Sequence, residues 1–173
     1  MATELPWFER TFSFDFPVEI YPDVIERFRG TPARLEERVR GVPRGVLTRR
    51  EREGTWSVQE NVGHLLDLES LWDRRLGDFL AGKPELSAAD VTNRATHEAG
   101  HNEREIGELL AGFRAHRMRQ VAALEGLRME DFARTALHPR LKQPMRLVDA
   151  VTFVCAHDDY HLARIGELIG LFA

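Results

Sequence analysis

From Val58 to Phe79 the apolar residues Val58, Val62, Leu65, Leu68, Trp72, Leu76 and Phe79 recur at steps of three and four. That spacing keeps one side of an α-helix apolar, and it predicts a helix along "TWSVQENVGHLLDLESLWDRRLGDFLAG". Ser57 and Glu60 stand where a capping box opens such a helix, and Gly82, followed by Lys83 and Pro84, ends it. A run of about 25 residues is long for a globular helix and favours a bundle. Ile106, Leu109, Leu110, Phe113, Met118, Val121 and Leu124 mark a further helix from about Asn102 to Leu127, and the last helix runs from about Leu147 to Leu171. Between Pro22 and Val42 the pattern is helical but interrupted. Val24, Ile25 and Phe28 form one face; Thr31 then reads as a cap and Pro32 as a first helical position before Leu35 and Val39. The expectation there is two short helices, or one helix broken near Gly30.

The first 20 residues follow a different period. Phe12, Phe14 and Phe16 alternate with Ser13 and Asp15, which predicts an extended segment with one apolar side, a strap across the rest of the fold. Residues 83–99 and the two-proline stretch "RMEDFARTALHPRLKQPMR" read as connections. The expected architecture is therefore all-α: one domain over residues 1–173, a four-helix bundle with a long crossover and an extended N-terminal strap.

Charge and cysteine content narrow the partners. The 24 Lys and Arg against 28 Asp and Glu leave a net charge of −4, which argues against a nucleic-acid partner. The locally basic "RGVPRGVLTRRER" lies between acidic segments and reads as a solvated loop. Cys155 is the lone cysteine, so no intrachain disulfide can form, as suits a reducing compartment. "MATELPWFERTF" lacks the layout of a signal peptide, and no apolar run approaches the roughly 18 residues of a membrane span. A soluble cytoplasmic protein is expected.

Within the last helix, "CAHDDYHLAR" places His157 and His161 four residues apart. They share one helix face with Val154 and Ile165, on the side turned to the core. Buried imidazoles need partners, and neutral imidazole is a good ligand for zinc, nickel, copper or iron. His64, mid-way along the long helix with Asn61, Leu68 and Leu71 on its stripe, is the candidate third ligand. Three histidines with an open position suit a catalytic site better than a closed structural one. The alternative is structural: histidines that satisfy buried acids, with no metal. His97 and His101 form a rival pair beside Gly100, His138 reads as a loop histidine, and His116 as solvent-exposed. Asp158 and Asp159 read as helix-surface acids, and Asp67 as a group that orients a ligand imidazole or as one arm of a surface ion pair. Cys155 reads as packing.

"GTWSVQENVGHLLDLES" followed much later by "AHDDYHLARI" resembles the DinB/YfiT-like superfamily. "RGTPARLEERV" and "FRAHRMRQVAAL" are similar to its first and third helical regions, so the likeness runs from about Pro22 to Leu171. The resemblance implies an up-down-down-up four-helix bundle in which three histidines hold a divalent metal at one end. By position these are His64, His157 and His161. It also implies homodimers and an activity drawn from a diverse set. That set includes mycothiol-dependent maleylpyruvate isomerase, bacillithiol transferases and metal-dependent hydrolases; the family name implies no DNA binding. The aromatic strap and the "HPRLKQPMR" connection depart from the better-known enzymes. The expected function is a zinc- or nickel-dependent enzyme acting on a small molecule, a thiol S-transferase or a hydrolase, with a low-molecular-weight thiol as a further cofactor. His101, Asn102 and Arg140 are candidate pocket groups. The alternative is a non-catalytic metal- or ligand-binding bundle with a stress or detoxification role.

Overall fold

The computed structural model describes residues 5–173, so the first four residues of the expected strap lie outside it. In chain order the elements are α1 (Tyr21–Val39), α2 (Arg44–Leu47), α3 (Val58–Leu80), α4 (Arg94–Glu98), α5 (Ile106–Glu125), α6 (Met129–Phe132), β1 (Thr135–Leu137), β2 (Pro144–Arg146) and α7 (Leu147–Phe172). Helices α1 and α3 each pack against both α5 and α7, which closes a four-helix bundle.

The two halves of the core fix the helix directions. One joins Val24 and Phe28 at the start of α1, Trp72 and Phe79 late in α3, Val121 and Leu124 late in α5, and Val148 and Val151 early in α7. The other joins Leu35 and Val39, Val58 and Val62, Leu109 and Phe113, and Leu162 and Leu168 from the opposite ends of the same helices. Helices α1 and α7 therefore run one way, and α3 and α5 the other, an up-down-down-up bundle.

Helix α3 begins where its capping box stands. The Ser57 hydroxyl accepts the Glu60 backbone N–H at 3.1 Å, and the Glu60 carboxylate accepts the Ser57 N–H at 2.9 Å. Both satisfy N–H groups that a helix start leaves bare. The turn after α3 closes on Gly82, whose φ of 66° is left-handed backbone that a glycine adopts without strain.

Helix α1 corrects the sequence reading: it is unbroken from Tyr21 to Val39, with Pro32 inside it and Thr31 capping nothing. A proline in a helix interior removes one N–H and frees the carbonyl four residues back, which here belongs to Phe28. The buried guanidinium of Arg117, on α5, donates to that oxygen at 3.3 Å. Thr31 instead donates to Asp158 Oδ2 at 3.0 Å.

Helix α5 starts at Ile106 rather than near Asn102, after a 3-10 turn at His101–Glu103. The two-proline connection contains α6 and an antiparallel hairpin pairing Thr135 with Arg146 and Leu137 with Pro144, and the connection at 83–99 contains α4. Glu85 bridges to Leu137, tying that loop to the hairpin.

The strap is extended between two 3-10 turns, Trp7–Glu9 and Val18–Ile20. Trp7, Phe12 and Phe14 pack on Met145 and Phe153, so this apolar side covers the chain's own core. The Arg146 guanidinium donates to the carbonyls of Phe14 and Phe16 at 3.2 and 2.9 Å, partners that a lone strand otherwise lacks. Among the described residues, no helix is long and apolar enough to cross a membrane.

Candidate metal centre

His64 on α3 and His157 and His161 on α7 converge at the junction of the two core halves. One ring nitrogen from each lies within 4.8 Å of the others, and all three residues are buried. The third histidine arrives from α3 because α3 and α7 are direct neighbours and its stripe of Asn61, His64 and Leu68 faces the His157–His161 stripe.

The hydrogen bonds behind the rings decide which nitrogen points inward. Thr96 Oγ1 donates to Asp67 Oδ2 at 2.8 Å, so it accepts from His64 Nδ1–H, 3.0 Å away. His161 Nδ1–H donates to Asn61 Oδ1 at 2.8 Å. Both rings therefore turn an unprotonated Nε2 inward. The Nε2 atoms of His157 and His161 are 3.2 Å apart, while His157 Nδ1 is buried with no hydrogen-bond partner among the described residues.

In the metal-free fold His157 Nε2–H donates to the unprotonated Nε2 of His161; with that proton on Nδ1 instead, the two Nε2 lone pairs are spaced to share one cation. Ligand bonds of about 2.0–2.1 Å at a tetrahedral angle separate two nitrogens by about 3.3 Å, close to the spacing here. Burial keeps all three rings neutral, the form that ligates a metal: it lowers His64 to about 4, and His157 and His161 well below the ordinary histidine value. At His157 the neighbouring His64, Arg117 and Arg140 charges add to the effect. The residues present thus fit a divalent ion.

An open cleft of about 1210 Å³ reaches these rings, lined near them by Trp7, Trp56, Trp72 and Tyr160. Every tryptophan of the chain packs on the site. Trp7 meets His157 edge-on at 4.9 Å between ring centres, Trp56 lies 4.5 Å from His64, and Trp72 lies 6.1 Å from His157.

Comparisons with known proteins give the family and the fold. The model of the DinB superfamily matches residues 27–165. The chain belongs to the DinB superfamily. It is 26% identical over 173 residues to a Bacillus pumilus protein named "Putative metal-dependent hydrolase", covering 91% of this chain and 95% of the other. Among solved structures it is similar to YfiT from Bacillus subtilis, described as "a probable metal-dependent hydrolase with an unusual four-helix bundle topology". The TM-score is 0.78 at 25% identity, over 92% of this chain and 91% of that one. A Streptococcus pneumoniae structure shares the fold at 12% identity, with a TM-score of 0.68 over 95% of this chain and 94% of that one.

In this DinB-superfamily chain the other expected site residues fall in different places. His101 does not reach the cleft: it lies behind Gly63, where a methyl group would overlap its ring, and its Nε2–H donates to Asp67 at 2.9 Å. Asn102 accepts the Ser57 hydroxyl at 2.7 Å and is likewise outside the cleft. His97 is exposed at the cleft wall, 5.6 Å from Trp56, so the rival pair does not converge. The hydrogen-bond link from Asp67 to His64 runs through the Thr96 hydroxyl. Asp158 is no surface acid. It is fully buried, and the Arg117 guanidinium binds it at 2.6 Å and Glu69 at 2.8 Å. Asp159 is half-buried, paired with Arg27 and Arg34. Cys155 is buried, which pushes its thiol up to about 12 and leaves it no role as a nucleophile. His116 is half-buried on α5 against Arg119.

His138 is buried rather than a free loop histidine, and with Arg140 it lines the cleft. Arg75 was missed, although the stripe His64–Leu68–Leu71 leads to it in one more step of four. Trp7 and Thr96 carry no sequence signal, because both reach the site from distant loops.

Thr96→Val keeps the size of the side chain but removes the oxygen that holds His64 Nδ1. Zinc affinity, read by competition with a chromophoric chelator, should fall about 10- to 100-fold, as for other lost partners of ligand histidines.

Proposed function

We propose that this chain is a metal-dependent hydrolase of small molecules that binds one divalent ion, zinc or nickel, through Nε2 of His64, His157 and His161. The observation that carries the reading is the convergence of three neutral imidazoles, two of them held by Thr96 and Asn61, at the wall of an open cleft. A bound divalent ion supplies Lewis acidity and brings the pKa of water toward neutrality. The chain's own part is to fix the rings. Thr96 and Asn61 hold their protons at Nδ1, while Trp7, Trp56 and Trp72 limit the water around them. Asp67 stabilises the Thr96 hydroxyl in the orientation that His64 needs.

The names of the B. pumilus relative and of YfiT favour hydrolysis over thiol transfer. A net charge of −4 supports a small molecule rather than a nucleic acid as partner. A homodimer, implied by the resemblance, is part of the same proposal and is read by light scattering.

The test is turnover of a panel of chromogenic esters and amides by zinc- and nickel-loaded protein, with and without a low-molecular-weight thiol. Hydrolysis that is abolished by 1,10-phenanthroline and by His64→Ala, and restored to the wild type by added metal, is the expected result. Turnover that requires the thiol and leaves it attached to the product would replace hydrolysis with S-transfer.

A further inference from the structure

Two guanidiniums face the cleft beyond the histidines, and neither has a counter-ion among the described residues. Arg75, on α3, is 6% exposed. Its Nε donates to the Ser87 carbonyl at 2.9 Å, and its guanidinium lies 5.4 Å from the Trp72 ring. The nearby Asp78 carboxylate is already taken by Lys83 and the Ser87 N–H. Arg140, in the β1–β2 loop, lies against the rings of Trp7, Phe8 and Phe153 at 5.3–5.9 Å, and its Nη2 is buried with no hydrogen-bond partner among the described residues. Two other buried or cleft-lining arginines differ. Arg117, fully buried, holds two carboxylates. Arg164, at the cleft mouth, is paired with Glu51 and Glu167.

His138 adds a third donor. Its Nδ1 accepts the backbone N–H groups of Arg140 and Leu141, each at 3.2 Å. The ring proton therefore sits on Nε2, which faces Arg75 Nη1 at 3.2 Å. A donor opposes a donor, whereas a buried polar cluster is stable when each donor finds an acceptor. Burial, with the repulsion of the Arg140 charge, outweighs the attraction of Asp78 and lowers even Arg75 to about 10. Charge, orphaned donors and position agree: this lobe lacks an anion. A planar, two-oxygen acceptor matches guanidinium geometry, and Trp7, Phe8, Leu68, Leu71, Trp72 and Phe153 wall the same cleft with apolar surface.

We propose that the cleft takes a small carboxylate-bearing substrate with an apolar or aromatic body, its carboxylate held by Arg75 and Arg140 and its reacting end at the three histidines. The last clause rests on the proposed function; the anion lobe does not.

The test uses phenylacetate and its neutral analogue phenylacetamide, with binding read from the fluorescence of the tryptophans in metal-free and zinc-loaded protein. Phenylacetate should bind the metal-free protein at least tenfold more tightly than the amide. Arg140→Gln should remove that preference by weakening acid binding far more than amide binding, while Arg140→Lys retains part of it. Equal binding of acid and amide, or an acid preference that survives Arg140→Gln, would overturn the inference. So would phenyl phosphate binding tenfold more tightly than phenylacetate, which would make the ligand a phosphoryl compound. An acid preference seen only with zinc and unmoved by Arg140→Gln would place the anion on the ion itself, again overturning the lobe while leaving the metal centre intact. A chain that takes up no metal yet keeps the Arg140-dependent preference would defeat the proposed function and not this inference.

Discussion

Arg117→Met should destabilise the protein by about 3–5 kcal/mol, the usual cost of removing one partner from a buried ion-pair network. Arg117 is fully buried, with Asp158 at 2.6 Å and Glu69 at 2.8 Å, and the Phe28 and Phe113 rings lie 3.9 and 4.7 Å from its guanidinium. Burial alone would disfavour its charge, but the two carboxylates outweigh burial and raise its pKa. Methionine fills most of the volume, so the penalty isolates two carboxylates left in the core and a Phe28 carbonyl with no donor. The cost is a large share of the 5–15 kcal/mol that holds an ordinary domain together. Urea unfolding of metal-free protein measures it. Adding Glu69→Gln and Asp158→Asn to Arg117→Met should recover much of the loss, because neutral amides are less costly to bury than unpaired charges. A single-variant cost below about 1 kcal/mol, inside the range of ordinary surface changes, would mean that the network contributes little.

Metal-free protein should also lose stability steeply between pH 7.5 and pH 5. In the unfolded chain a histidine takes up its proton near pH 6.5. In the fold His64 resists protonation down to about pH 4, and His157 and His161 are lowered further in the same direction. The unfolded state therefore binds more protons below pH 6.5, so stability falls as pH falls. Each ring that stays neutral to pH 5 contributes about 2 kcal/mol to that fall. Glu69, which burial raises to about 7, acts in the opposite direction over the same window, so the decisive readout is a difference. Urea midpoints of wild type should drop more between pH 7.5 and pH 5 than those of His157→Gln/His161→Gln. Equal pH slopes for the two proteins would contradict the neutral, buried state of the histidines.

The long helices were legible because their signals are local. Ser57 and Glu60 cap α3 three residues apart, and His157 and His161 share a face because an α-helix repeats about every four residues. What was misread depends on groups far along the chain. Pro32 suggested a break, yet the carbonyl it frees is satisfied by Arg117, 85 residues later in the sequence. Asp158 looked like a surface acid because it lies off the histidine stripe. Helix α7, however, is buried on more than one side, and the partners of Asp158 come from α1 and α5. The strap was legible as an extended, one-sided segment, but nothing in its alternation told that Trp7 would lie over His157. The hairpin that carries Arg140 is three residues per strand, too short for a period to register. Arg75 could have been found: an arginine that continues an otherwise apolar, histidine-bearing stripe is a buried charge in search of a partner.

The most direct test of the account is the metal content of protein purified without a histidine tag, measured by elemental analysis beside the His157→Ala/His161→Ala variant. The wild type should hold about one zinc or nickel ion per chain and the folded variant none. A wild type that stays metal-free after zinc or nickel is added and the excess dialysed away, or a variant that keeps its ion, would contradict it.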